Sequence, residues 1–164
     1  MIGIVGLFIA GCEMNIKLKE TLIKIGFVER FKQLFQEHNH SNLFKNADID
    51  EVIAMIKENG YLCSYNKKHK FYKVQEKSEN VFNTSLHISL ELGVAEFILN
   101  IVIDGQGDGG PFSFMCDLLG SVDRINNPRF SNYKELNDVL SIGFSIYEDI
   151  KKELGASLST PSSA

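Results

Sequence analysis

The chain has 164 residues and a formal net charge of −4. Hydrophobic residues make up 44% of it and charged residues 23%, proportions typical of a globular protein rather than of a disordered chain or a membrane bundle. At this length one domain with an ordinary core is expected. The mild acidity argues against a protein built chiefly to neutralise nucleic-acid phosphates, so no nucleic-acid partner is predicted.

Residues 1–13 are predicted to form an apolar N-terminal arm or a signal-like segment. The order Ile9-Ala10-Gly11-Cys12 resembles a bacterial lipoprotein cleavage box, in which Cys12 would carry the lipid. The apolar run is short for a signal peptide, and no Lys or Arg precedes it. Met14 offers the other interpretation, a start site assigned upstream of the true one. The sequence therefore predicts a cytoplasmic protein, with a membrane-anchored lipoprotein as the alternative.

The next part of the chain predicts two helices. Between Ile16 and Glu37 the apolar residues recur with a period close to 3.6, as on one face of an amphipathic helix. Asp48 with Glu51 forms a capping-box pattern ahead of a second, shorter helix. Gly60 follows that helix at the position where a left-handed residue often ends one.

The period then changes to two, which predicts strands connected as hairpins. Two short segments, "YLCSY" and "KFYKVQ", flank a polar and basic turn, Asn66-Lys67-Lys68-His69. Residues 82–92 alternate next, with Phe82, Leu86, Ile88, Leu90 and Leu92 on one face and Asn83, Ser85, His87, Ser89 and Glu91 on the other. "VAEFILNIVI" predicts an interior strand, and "PFSFMCDLL" after the glycines is strand-like because Phe112, Phe114 and Cys116 alternate.

A last helix completes the domain. Asn132 and Glu135 can cap it, and its apolar stripe runs to Leu154 with Gly143 placed to permit close packing. Residues 155–164 contain few apolar side chains and predict a flexible tail. The predicted order ααββββα describes an α+β domain over residues 14–154: a four-stranded antiparallel meander sheet with helices packed on one face.

The stretch "IVIDGQGDGGPFSF" contains a G-x-G-x-x-G pattern at Gly105, Gly107 and Gly110. In a dinucleotide site the last glycine opens a helix, whereas strand-like sequence follows here, so a cofactor loop is not predicted. Asp104 and Asp108 match the first and fifth positions of a calcium loop, but the twelfth is Met115 instead of glutamate. The stretch predicts a permissive hairpin loop, with a looser metal site as the alternative.

Other candidate sites have ordinary structural interpretations. His38 and His40 could chelate a metal only with a third ligand that no spacing supplies. Cys63 and Cys116 predict reduced, buried thiols, because no short C-x-x-C pairing exists. No catalytic, cofactor or metal site is predicted, and the chain is expected not to be an enzyme.

The layout from Asn15 to Leu154, closing with "PRFSNYKELNDVLSIGFSIYEDIKKEL", resembles the immunity proteins of bacterial polymorphic-toxin and contact-dependent growth inhibition systems. The resemblance implies a tight, stoichiometric partner, the cognate toxin, which in such systems is often a nuclease with a basic active-site cleft. Acidic groups would suit steering and occlusion of that cleft. The residues expected to bind the partner are Glu91, Glu96, Asp104 and Asp108, with His87 on the polar face of the sheet.

Overall fold

The computed structural model describes residues 13–39, 42–75 and 83–159. The helices within these ranges are α1 (Ile16–Lys24), α2 (Phe27–Glu37), α3 (Ile49–Glu58), α4 (Phe112–Leu118) and α5 (Tyr133–Ser159). The strands are β1 (Leu62–Asn66), β2 (Phe71–Gln75), β3 (Thr84–Ser89), β4 (Glu96–Ile103) and β5 (Gln106–Pro111). The hypothesis of lipidation at Cys12 and the end of the predicted tail fall outside the described residues.

The strands form one antiparallel sheet in the order β1-β2-β3-β4-β5. This confirms an α+β fold with an antiparallel meander, but the sheet has five strands where four were predicted. The additional strand, β5, is the glycine-rich stretch that was expected to be a loop. Asp104 and Gly105 alone form the connection from β4, and both have positive φ, 52° and 76°. Two successive residues with positive φ are favoured in two-residue hairpin turns.

Glycine is required in β5 because this strand passes close to β4. A Cβ atom on Gly109 would lie 2.3 Å from the carbonyl oxygen of Leu99, and Gly109 has a φ of 103°. Both the contact and the backbone conformation exclude a side chain there. The glycine content that suggested a loop is therefore a consequence of strand pairing.

The segment "PFSFMCDLL", predicted as a strand, instead forms helix α4. Pro111 precedes its first residue, and Phe112, Met115 and Cys116 are buried at helical spacing. Phe114, which was expected to share a face with Phe112 and Cys116, is 42% exposed. The alternation was misleading because Phe112, Phe114 and Cys116 suit a period of two, whereas burial of Met115 requires a period of 3.6.

Two more elements differ from prediction at their ends. The long first helix is divided at Gly26, which adopts a φ of 68° between α1 and α2. The strand predicted over residues 82–92 ends at Ser89, and Leu92 has a φ of 56° and is 64% exposed. Leu92 was therefore wrongly placed on the buried face, although Leu86 and Ile88 are buried as predicted.

The predicted helix caps are present. The Asp48 carboxylate accepts hydrogen bonds from the backbone amides of Asp50 and Glu51, at 3.0 and 3.1 Å. The side-chain oxygen of Asn132 accepts from the amide of Glu135 at 2.9 Å. Helix α5 then continues to Ser159, five residues beyond its predicted end, so residues 155–159 are helical.

The core lies between the helices and one face of the sheet. Phe97 of β4 is fully buried at its centre and stacks on Phe112 of α4, with ring centroids 5.4 Å apart. A Cβ atom on Gly143 of α5 would lie 2.3 Å from Cζ of Phe97. The prediction that Gly143 permits close packing is therefore confirmed, and the contact is with the sheet.

Candidate partner-binding surface

The second face of the sheet carries mixed polar and apolar side chains that are exposed or half-buried. Side chains alternate between the two faces along each strand, and in β3 and β4 the alternate residues on the core face are buried. We call this second face the open face. Its members in β1 to β4 are Leu62, Ser64, Asn66, Phe71, Lys73, Gln75, Ser85, His87, Ser89, Glu96, Ile98, Asn100 and Val102.

The centre of the open face contains stacked rings. The ring of Phe71 lies 4.4 Å from the imidazole of His87, centroid to centroid, at an interplanar angle of 18°. The imidazole of His69, in the turn before β2, stacks on Phe71 at 6.3 Å and 20°. His87, predicted to meet a partner, is therefore at the middle of the face and held by an aromatic neighbour.

Lys73 lies directly beside His87, because the two residues are register partners in the pairing of β2 with β3. Burial lowers the pKa of His87 below its ordinary value, and the charge of Lys73 lowers it further. A lowered pKa keeps the imidazole neutral near pH 7. The positive charge at the centre of the open face therefore comes from Lys73.

The predicted acidic residues do not form one patch. Glu96 begins β4 and is half-buried on the open face, whereas Asp104 follows the end of the same strand and is exposed. Eight residues of extended strand separate them by roughly 27 Å. Glu91 is exposed on the short turn after β3, where its carboxylate lies 3.4 Å from the Nζ atom of Lys70.

Asp108 has a structural position. Its Oδ2 atom accepts a hydrogen bond from the backbone amide of Asn15 at 2.6 Å, and Oδ1 accepts from the amide of Gly109 at 2.7 Å. The carboxylate thereby attaches the start of α1 to β5, across 93 residues of sequence. These two bonds occupy the carboxylate that was considered for a loose metal site with Asp104.

A shallow depression of about 810 Å³ crosses the open face at β3, β4 and β5. Gly107, Gly109 and Ser85, which have no side chain or a small one, line it together with Lys73, Asn100 and Val102.

Neither a metal site nor a reactive thiol is indicated among the described residues. Within 13–39, 42–75 and 83–159, no three His, Cys, Asp or Glu side chains are grouped to hold a metal ion. Burial, with a smaller contribution from Asp117, raises the pKa of Cys116 to about 12, and burial also raises that of Cys63. Thiols with raised pKa values are poor nucleophiles at neutral pH.

Sequence reasoning missed Phe71 and Lys73 as members of this surface. The signal was present in "KFYKVQ", where alternation places Phe71, Lys73 and Gln75 opposite Tyr72 and Val74. Their approach to His87 could not be read from either strand alone, because it depends on how β2 pairs with β3.

Comparison of the chain with known protein families, curated protein sequences and solved structures found no match. No helix among the described residues is both long enough and apolar enough to cross a membrane.

Proposed function

We propose that the chain is a small partner-binding domain that neutralises a cognate bacterial toxin, as an immunity protein does. The observation that carries this proposal is the open face. Apolar and polar groups alternate across it, with Phe71 and Ile98 half-buried and Val102 37% exposed. Stable but separable protein interfaces have such a mixed composition.

The dimensions of the face also fit this role. Five strands about 4.8 Å apart, each about six residues long, cover roughly 24 Å by 20 Å. With the relief of its side chains this is of the same order as the roughly 800 Å² that one partner contributes to a standard interface.

The rings of Phe71 and His87 give the face a rigid centre, since they hold each other in place. A rigid surface loses little conformational entropy on binding.

The acidic residues predicted to bind the partner do not lie at the centre of the open face. Glu96 lies at one end of the face, while Asp104 is in the turn at the opposite end of β4. We therefore propose neutralisation by docking on the sheet, with Glu91, Glu96 and Asp104 at its margins. Occlusion by one continuous acidic patch would require groups much closer together than these.

The test begins with the partner. The tagged full-length chain is expressed in its native cell, and a protein recovered at one-to-one stoichiometry is then expressed alone in a naive host. We expect that protein to arrest growth and the chain to restore it on co-expression. Recovery of no stoichiometric protein, or of one that is harmless when expressed alone, would refute the proposal.

A matched pair of substitutions tests the surface. Val102→Arg places a long charged side chain on the open face, whereas Val122→Arg makes the same change at a residue that is 99% exposed, outside the sheet. We expect Val102→Arg to weaken partner binding at least tenfold, about 1.4 kcal/mol, and Val122→Arg to leave it unchanged. Equal affinities of both variants for the partner, with both chains folded by circular dichroism, would exclude the open face as the docking surface.

The lipoprotein alternative depends on Cys12. Labelling with palmitate that disappears in a Cys12→Ser variant would support a membrane anchor, and a toxin-neutralising domain could carry one. Absence of palmitate label from the native product would show that Cys12 is not a membrane anchor.

A further inference from the structure

The β1–β2 hairpin, residues 62–75, concentrates positive charge. It contains Lys67, Lys68, Lys70 and Lys73 and no Asp or Glu. The chain has 17 Lys and Arg residues against 21 Asp and Glu, so the remaining residues hold 13 cations against 21 carboxylates. The hairpin is thus four units positive in a chain whose remainder is eight units negative. We call residues 62–75 the basic hairpin.

Three of these charges lie at one end of the open face and the fourth at its centre. Lys67, Lys68 and Lys70 are exposed in the turn, where Lys70 also lies 3.4 Å from the Glu91 carboxylate, and Lys73 is exposed beside His87. The hairpin is also an edge of the sheet, because β1 pairs only with β2 among the described strands. Leu62 at the start of β1 is 58% exposed. The basic hairpin therefore offers cations at its turn, an apolar side chain at its other end and, between them, a strand edge that no described strand covers.

We propose that the basic hairpin is a docking surface for an acidic segment of a protein partner. Charge complementarity selects this chemistry, since residues 62–75 carry a formal charge of +4 and the remainder of the chain one of −8. An extended acidic segment could also pair with the backbone of β1, as peptides do at open sheet edges. The inference rests on the proposed function for its biological partner, and it fixes the charge of the surface that the toxin presents.

A protein segment fits the hairpin better than nucleic acid does. Single-stranded nucleic acid needs aromatic rings with faces free for base stacking. Phe71 is stacked with both His69 and His87, so its ring is already engaged. Four lysines also supply few phosphate contacts within a chain of net charge −4.

The test uses a defined probe and a charge-matched control. The probe is a twelve-residue peptide of alternating Glu and Asp with blocked ends, and a Gln/Asn peptide and a thymidine dodecamer are its comparisons. Lys67→Glu/Lys68→Glu reverses two exposed charges in the turn. Lys57→Glu/Lys152→Glu makes the same change in net charge at exposed positions on α3 and α5.

In ¹H–¹⁵N NMR titrations of the full chain in 25 mM salt, we expect the acidic peptide to shift resonances of residues 62–75 and 85–89. We expect Lys67→Glu/Lys68→Glu to weaken this binding at least tenfold and the control pair to change it less than twofold. Absence of binding, shifts spread over the helices, or equal loss in both variants would overturn the proposal. Tighter binding of the thymidine dodecamer at the same residues would replace it with a nucleic-acid site.

The two proposals can fail separately. If the cognate toxin binds both double variants equally, the toxin does not use the basic hairpin, and neutralisation itself still stands. If the recovered partner is not toxic but acidic peptide binding depends on Lys67 and Lys68, the toxin-neutralising function falls and the docking surface remains.

Discussion

Gly143 of α5 packs against Phe97 of the sheet, and its replacement by alanine measures how tightly that contact is packed. A Cβ atom at this position would lie 2.3 and 2.4 Å from two ring atoms of Phe97, where an ordinary contact is 3.4–4 Å. The ring would have to move by about 1 Å. Phe97 is fully buried and stacks on Phe112, which in turn contacts Phe27 and Phe31 edge to face. Movement of Phe97 would therefore disturb the central aromatic packing.

Two effects of Gly143→Ala oppose each other. Alanine favours a helix interior over glycine by about 1 kcal/mol. Overpacking a filled core costs about 1–3 kcal/mol, and the short distances here place the cost at about 3 kcal/mol. We expect a net loss of about 2 kcal/mol in the free energy of unfolding. For a domain of this size that corresponds to a decrease of about 4–8 °C in Tm.

Urea unfolding followed by circular dichroism at 25 °C, with a thermal melt beside it, would measure this difference. Gly107→Ala is the matched control, because a Cβ atom there would meet nothing within 4 Å. A smaller side chain at the opposing position should relieve the contact, so Phe97→Leu should cost less in the Gly143→Ala background than in the wild type. If Gly143→Ala unfolds at the same or higher urea concentration than the wild type, the packing argument is wrong.

Three further predictions concern the sheet. Gly109→Ala should lower the free energy of unfolding by at least 2 kcal/mol, because its Cβ would clash with the Leu99 carbonyl at a positive φ; stability equal to that of Gly107→Ala would contradict this. Asp108→Asn should cost about 1–2 kcal/mol, since an amide cannot accept both of the hydrogen bonds that the carboxylate accepts from Asn15 and Gly109; an unchanged urea midpoint would show that these bonds add nothing. Lys73→Met should raise the pKa of His87 without restoring it fully, because burial is the larger cause of its depression. An NMR titration of the His87 imidazole measures this value, and a pKa that falls or stays constant would contradict the stated role of Lys73.

The lowered pKa of His87 also sets a direction for stability against pH. Below the ordinary pKa of 6.5 the unfolded chain takes up a proton at this residue more readily than the folded chain. The contribution of neutral His87 to stability is therefore complete above that pH and is lost as the pH falls through it. We expect His87→Gln to lose less stability than the wild type between pH 7 and pH 5 in urea unfolding. An equal loss in both proteins would show that other groups account for the acid sensitivity.

Local patterns predicted the elements whose burial is one-sided and whose ends carry capping groups. Asp48 caps helix α3, and β4 alternates as expected, because each depends on neighbours within a few residues. The errors occurred where a distant contact decides the conformation. Gly109 lies in a strand because it passes the Leu99 carbonyl, and α4 is a helix because Phe112, Met115 and Cys116 fit the core together. Neither contact is visible in the local sequence.

The charge of the candidate surface shows the same dependence on pairing. The net charge of −4 suggested that acidic groups would meet a basic partner. This total does not reveal that residues 62–75, at one edge of the sheet, form a basic hairpin. Along the sequence, His87 belongs to a strand with acidic residues near its end, whereas in the fold Lys73 is its register partner. The partner of a sheet-binding protein meets residues from several strands at once. For the docking proposed above, the governing charge is that of the paired strands, so the contact expected on the proposed partner is acidic and separate from any basic active-site cleft.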